Sequence, residues 1–170
     1  MNPAKYLFEI ITADDTEKAR GAIKKLARVF ISKSGSPAIV VGMQVDERDL
    51  WYEHENPVIL RHPFTAEDLG NAVAQEMRKT NRRATKLEKK ITEWPAFKAS
   101  GLRSVRKFEE SFIEISVQSV NAANLSAIIT GSPEKQAILL VTSTISTGVI
   151  TTEFGDRILQ VYKACVERHL

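Results

Sequence analysis

The chain has 170 residues, of which 43% are hydrophobic and 26% are charged, and its formal net charge is +3 at pH 7. This length and apolar content predict one domain, spanning residues 1–170, with a buried core. No run of about twenty apolar residues could span a bilayer. The single cysteine, Cys165, excludes an intrachain disulfide and supplies no metal-ligand spacing.

The N-terminal segment predicts a strand followed by a helix. Tyr6 to Ile11 is aromatic and β-branched, as in strands. From Thr16 to Ser32 apolar residues recur at intervals of three and four, which indicates a helix that ends at "SKSGSP". The segment lacks the features of a signal peptide, so we expect a cytosolic protein.

The next segment predicts strands. Ala38 to Val45, "AIVVGMQV", is a continuous apolar run and predicts a strand covered on both faces. With the preceding strand and helix it suggests a crossover unit. After the acidic "DERDLWYEHEN", the short "PVIL" predicts an edge strand that starts at Pro57.

The longest predicted helix covers residues 65–94. It starts at "TAED", which has the form of a capping box, and apolar residues then step by three or four as far as Pro95. About thirty residues is long for a helix of a globular protein. A break near Thr80 and Asn81 is therefore the alternative to one continuous helix.

The C-terminal part predicts an antiparallel meander and a last helix. The three strands are Ser111 to Ser119, Leu125 to Thr130 and Gln136 to Thr144, and the helix starts near Thr152 with Cys165 on its apolar side. The complete prediction is an α+β fold with three main helices. Its mixed or mainly antiparallel sheet has about five or six strands.

Positive charge is concentrated between residues 77 and 108, which contain eleven Lys or Arg and two Asp or Glu. On one continuous helix, seven of these cations would share a face opposite the apolar stripe: Arg78, Lys79, Arg82, Arg83, Lys86, Lys89 and Lys90. Such a face is often only a solvated surface. As a binding surface it would suit nucleic-acid phosphates or an acidic protein partner.

The acidic segment at residues 46–56 is a second candidate interface. Trp51, Tyr52 and Glu53 combine aromatic and charged side chains as binding hot spots do, although burial of both aromatics is the alternative. With neighbouring carboxylates, His54 and His62 are residue types that could bind a metal or form an enzyme site. Their spacing matches no established metal pattern, and a solvated acidic loop is the simpler interpretation.

The sequence contains no nucleophile motif, dinucleotide fingerprint or phosphate loop. "ITGSPEKQ" has a single glycine and is typical of a hairpin turn. We therefore predict no enzymatic activity, no cofactor and no resident metal.

The predicted order of elements, with the closing "GDRILQVYKACVERH", resembles the α+β immunity proteins of bacterial contact-dependent growth inhibition. The resemblance is one of layout over most of the chain, and no residue role is transferred. It implies a cytosolic, non-enzymatic inhibitor that binds the toxic C-terminal domain of a cognate effector. A nucleic-acid-binding protein that uses the basic face of residues 65–94 is the alternative.

Overall fold

The computed structural model describes residues 24–46, 49–81, 94–120, 126–133, 140–146 and 148–167. Within these ranges the strands are β1 (Leu26–Ser32), β2 (Ala38–Val45), β3 (Trp51–Glu53), β4 (Val58–Leu60), β5 (Phe112–Ser119), β6 (Ser126–Gly131) and β7 (Val141–Ser146). The helices are α1 (Ala66–Arg78), α2 (Pro95–Ala99), α3 (Val105–Ser111) and α4 (Thr151–Glu167). The predicted α+β class is confirmed.

The described strands form one antiparallel sheet in the order β3-β2-β1-β5-β6-β7. The short strands β3 and β4 both pair with β2, at its two ends: Val45 lies opposite Trp51, and Ala38 lies opposite Leu60. Every residue of β2 is buried, as its continuous apolar sequence predicts. The predicted strand at "PVIL" is confirmed over Val58–Leu60.

The two longest helices of the described chain, α1 and α4, cover one face of the sheet. Alternate residues of the strands, such as Val29 and Ile115, pack there against Leu69 of α1 and Ile158 of α4. The capping box predicted at "TAED" is present: the Thr65 hydroxyl accepts a hydrogen bond from the Asp68 amide, and the Asp68 carboxylate accepts one from the Thr65 amide.

Helix α1 ends at Arg78, so the prediction of one continuous helix over residues 65–94 is wrong and the alternative break is confirmed. Tertiary hydrogen bonds explain the break. The buried Thr80 hydroxyl donates to the Leu26 carbonyl oxygen and accepts from the Leu26 amide, both at 3.1 Å. The Asn81 carbonyl oxygen then accepts a bond from the Val45 amide at 3.0 Å. These bonds hold the chain against the start of β1 and the end of β2.

The predicted helix from Thr16 to Ser32 is wrong over its second half, because Leu26–Ser32 forms β1. Both faces of β1 are covered, with Ala27 and Ile31 in one core and Phe30 in the other. A strand that is buried on both faces does not alternate apolar and polar residues as a half-exposed strand does, so its sequence does not show the usual strand pattern. The chain enters β2 from the antiparallel strand β1 and not from a helix, as the predicted crossover unit required. Residues 6–11 and 16–23 lie outside the described ranges.

The helices α2 and α3, which we did not predict, cover part of the opposite face. Phe30, Phe108 and Phe112 form a second core there with buried residues of β2 and α2. The Phe108 ring centroid lies 5.2 Å from that of Phe30, 5.1 Å from that of Trp94 and 4.8 Å from that of Phe112. This aromatic cluster attaches α2 and α3 to the β1–β2 half of the sheet.

The C-terminal predictions are confirmed with shifted boundaries. Strands β5 and β6 begin at Phe112 and Ser126, and β7 covers Val141–Ser146, whereas residues 136–139 of the predicted third strand lie outside the described ranges. Helix α4 begins at Thr151, and Cys165 is buried on its inner side. None of the helices in the described ranges is long and apolar enough to cross a membrane.

Candidate functional site

Glu53 ties the edge strand β3 to the second layer. Its carboxylate oxygens accept a hydrogen bond of 2.6 Å from the Trp94 indole Nε1–H and one of 2.8 Å from the Ala96 amide. Burial raises the pKa of the Glu53 carboxyl, although these two hydrogen bonds and the charge of Arg28 oppose the rise. A residue predicted to bind a partner therefore holds the beginning of α2 in place.

The two neighbouring aromatic residues are half-buried along β3. Trp51 lies opposite Val45 in the ladder, and the Tyr52 hydroxyl donates a hydrogen bond of 3.3 Å to the buried Asp46 carboxylate. The same carboxylate accepts a bond of 3.0 Å from the Leu50 amide. Since part of each aromatic side chain still faces solvent, a role of Trp51 and Tyr52 in partner binding stays a prediction.

The two histidines are not arranged as a metal centre. The His54 Nε2 atom lies 2.7 Å from the Lys79 carbonyl oxygen, so His54 donates a hydrogen bond to the last turn of α1. His62 lies on an exposed segment after β4. Among the residues that the structure describes, no group of three His, Cys, Asp or Glu side chains could hold a metal ion.

The predicted face of seven cations required one continuous helix, and the chain leaves the helix after Arg78. Arg78 is exposed, whereas Lys79 forms an ion pair with the fully buried Glu76. The Glu76 carboxylate also accepts a 2.9 Å bond from the Gly42 amide, so Lys79 compensates a buried charge. The other five predicted cations, at 82, 83, 86, 89 and 90, lie outside the described residues.

A groove of about 530 Å³, called here the α3 groove, lies between α3 and the adjoining parts of β5 and β6. Its lining includes an aromatic group of Phe30, Trp94, Phe108 and Phe112. Five charged side chains also line it: Lys33, Arg106, Glu109, Glu110 and Glu114. The further lining residues Ser116, Thr130 and Ser132 are polar, and Leu140 is 59% exposed.

Sequence reasoning missed the α3 groove although one signal for it is present. In β5, Ile113, Ile115 and Val117 face the main core, and the alternation of a strand places Glu114 and Ser116 on the other face. These polar residues indicate a surface that the core does not cover. The groove itself forms only because α3 stands beside that surface, and the periodicity of β5 does not contain this information.

The position of Glu53 predicts a characteristic pH dependence. Because its pKa is raised above the ordinary value of 4.5, the folded protein binds this proton more tightly than the unfolded chain does. Stability contributed by the residue is therefore present below about pH 4.5 and lost as the pH rises through the raised pKa. Urea denaturation measures the unfolding free energy of wild type and of Glu53→Gln. We expect the wild-type value minus the variant value to decrease as the pH rises from about 4.5 through the raised pKa of Glu53.

Asp68→Asn provides a control of opposite sign. Hydrogen bonds from Thr65 lower the pKa of Asp68 below its ordinary value of 3.8. The stability that Asp68 contributes is thus present above about pH 3.8 and lost as the pH falls through the lowered pKa. The stability difference between wild type and variant should therefore change with pH in opposite directions for Glu53→Gln and Asp68→Asn. If both differences change in the same direction, the raised pKa of Glu53 is contradicted.

Comparison with known proteins identifies the fold and no sequence family. No protein-family model matches the chain, and no curated protein matches its sequence. The similar solved structures include two that each have 12% sequence identity and cover 84% of this chain. One is a protein of unknown function from Neisseria meningitidis, with a TM-score of 0.61 and 95% of that chain covered.

The second similar structure is a chain of a CdiA-CT/CdiI toxin and immunity complex from Yersinia pseudotuberculosis, with a TM-score of 0.58 and 99% of that chain covered. The predicted resemblance to immunity proteins of contact-dependent growth inhibition is therefore confirmed at the level of the fold. At 12% identity the likeness does not extend to individual residues.

Proposed function

We propose that this chain is a non-enzymatic immunity protein that binds the toxic C-terminal domain of a cognate bacterial effector in the cytoplasm and neutralises it. The observation that carries the proposal is the structural match over 99% of a chain from a toxin and immunity complex. The resemblance was predicted from the whole order of elements, of which the observed fold retains the meander and the C-terminal helix and not the continuous helix over residues 65–94.

The arrangement of polar side chains supports a binding role over catalysis. Glu53, Asp46 and Glu76 accept hydrogen bonds from groups of their own fold, and His54 donates to the end of α1. These groups stabilise connections between elements, although sequence reasoning treated Glu53, His54 and the carboxylates near them as possible contacts or ligands. A toxin-binding protein needs a stable surface of defined shape and no reactive group.

Nucleic-acid binding is not retained as a second function. That alternative required a continuous helix over residues 65–94 with seven cations on one side, and α1 ends at Arg78. Trp51 and Tyr52 on β3, together with the exposed Arg78, remain proposed contacts with the toxin.

Co-expression tests the proposal. The partner to use is the C-terminal domain encoded directly upstream of this chain, expressed from an inducible promoter. We expect the chain to restore growth and to co-purify with that domain, because an immunity protein acts by forming a stable complex. A toxin domain from an unrelated effector is the matched control and should remain toxic. Unrelieved toxicity, in cells where the folded chain accumulates and no complex is recovered, would refute the proposal.

A further inference from the structure

We propose that strand β7 is the interface of a homodimer, in which the β7 strands of two copies of this chain pair antiparallel about Ser143 and join their sheets into one. Three properties of β7 carry the proposal: its position at the end of the sheet, its lack of charge and the symmetry of its sequence. The dimer does not depend on the immunity function.

Strand β7 is an end strand of the sheet in the described part of the chain. It pairs with β6 over six positions, from Val141 opposite Gly131 to Ser146 opposite Ser126. No strand in the described ranges pairs with its other side. In an antiparallel ladder, about half of the backbone N–H and C=O groups of an end strand point away from its neighbour. These groups can accept one further strand.

The two ends of the sheet differ in how they are protected. Natural edge strands avoid unwanted pairing by being short, by carrying charged residues or proline, or by forming a bulge. The end strand β3 has three residues and includes the charged Glu53. Strand β7 has six residues, "VTSTIS", with no charge, no proline and an unbroken register against β6. A long, regular and uncharged edge is suited to pairing with a further strand.

The sequence of β7 fits a second copy of itself. When two β7 strands pair antiparallel about Ser143, Thr142 lies opposite Thr144 and Val141 lies opposite Ile145. Directly opposite residues project to the same face of a sheet, so the threonine pairs would continue the exposed face and the Val141–Ile145 pairs the face that packs in the main core. A two-fold contact also places residues near the axis beside their own copies, where equal charges would repel, and β7 carries none.

Pairing would cover apolar side chains at this end of the sheet. Val141 is only partly buried against the main core, and Leu140, which directly precedes β7, is 59% exposed. In the register centred on Ser143, Leu140 lies opposite Ser146 of the second copy. One pair of strands with its flanking side chains buries less surface than the roughly 1,600 Å² of a standard stable interface. We therefore expect a dimer that dissociates on dilution.

The first experiment is sedimentation equilibrium of the full chain from low-micromolar to submillimolar concentration. Thr142→Lys/Thr144→Lys would place two cations of each copy opposite those of the other, so we expect dimerisation to weaken roughly tenfold or more. Asn71→Lys/Gln75→Lys adds the same charge at exposed positions of α1. This control should dimerise within about twofold of wild type, because distant exposed charges are screened by salt.

A charge exchange tests the register directly. Thr142→Glu/Thr144→Glu should also be monomeric by itself, since its carboxylates would repel across the axis. When this variant is mixed with Thr142→Lys/Thr144→Lys, each cation lies opposite a carboxylate, and we expect a heterodimer to form. Circular dichroism verifies that both variants are folded. Two folded variants that remain monomeric when mixed would contradict pairing in this register.

Amide hydrogen exchange shows what covers the edge. We expect the β7 amides that face away from β6 to become protected as the protein concentration rises. Protection that is independent of concentration would show that β7 is covered within its own chain, and it would overturn the proposal. A wild type that stays monomeric, including one whose β7 variants lose only toxin binding, would overturn it as well and leave the immunity function standing. Failure of the co-expression test would leave the dimer unaffected.

Discussion

Replacement of Gly155 by alanine is expected to reduce the free energy of unfolding by about 3 kcal/mol, the upper end of the usual cost of overpacking. Gly155 lies where α4 crosses α1. An added Cβ would be 2.7 Å from the Ala66 carbonyl carbon, closer still to its oxygen, and 3.0 Å from the Gly70 amide nitrogen. Because these are backbone atoms, the two helices would have to separate.

The sign of this effect is the test, because alanine normally stabilises a helix relative to glycine by about 1 kcal/mol. Gly148→Ala is a suitable control, since its added Cβ would approach the Ser146 hydroxyl to only 3.5 Å, an ordinary contact. Urea denaturation followed by circular dichroism measures both variants. A Gly155→Ala protein as stable as wild type would show that the helices are not in close contact at this crossing.

Replacement of Phe108 by alanine is expected to cost about 4 kcal/mol, as is typical for removal of a buried phenylalanine. Phe108 is 1% exposed and its ring contacts those of Phe30, Trp94 and Phe112. The substitution removes packing contacts from the second core, which attaches α2 and α3 to the sheet. We therefore expect Trp94 to become exposed at lower urea concentrations than those that unfold α1 and α4.

Trp94 fluorescence in a Trp51→Phe background, compared with far-ultraviolet circular dichroism, measures this separation. Val105→Ala is the control on the same helix, because Val105 is 43% exposed and should change stability by less than about 0.5 kcal/mol. Coincident unfolding of both signals in the Phe108→Ala variant, at the wild-type urea midpoint, would contradict an independent energetic contribution from the second core.

The accuracy of the sequence predictions depends on whether the relevant interactions are local. The capping box at Thr65 and Asp68 joins residues three positions apart, and it was predicted correctly. The fully buried strand at Ala38–Val45 and the amphipathic helix α4 were also recognised, because each pattern lies within one element. The α1 terminus is different. Thr80 leaves the helix to bond with Leu26, 54 residues away along the chain.

The same distinction applies to the candidate sites. Glu53 was identified as a contact residue from its aromatic neighbours, whereas its carboxylate bonds to Trp94 and Ala96, more than forty residues later. The α3 groove was not predicted, since it combines residues from β1, α3, β5 and β6. Each of those segments, considered separately, has an ordinary pattern of apolar and polar residues.

The sequence by itself determined the α+β class, the capped start of α1, the buried central strand and the C-terminal helix, because these depend on periodicity and on contacts between near neighbours. Only the tertiary structure decided that residues 26–32 form a strand, that α1 stops at Arg78 and that α2 and α3 cover part of the second face. The physical reason is that burial on two sides and hydrogen bonds between distant segments outweigh local preference, and these interactions exist only when the chain is folded.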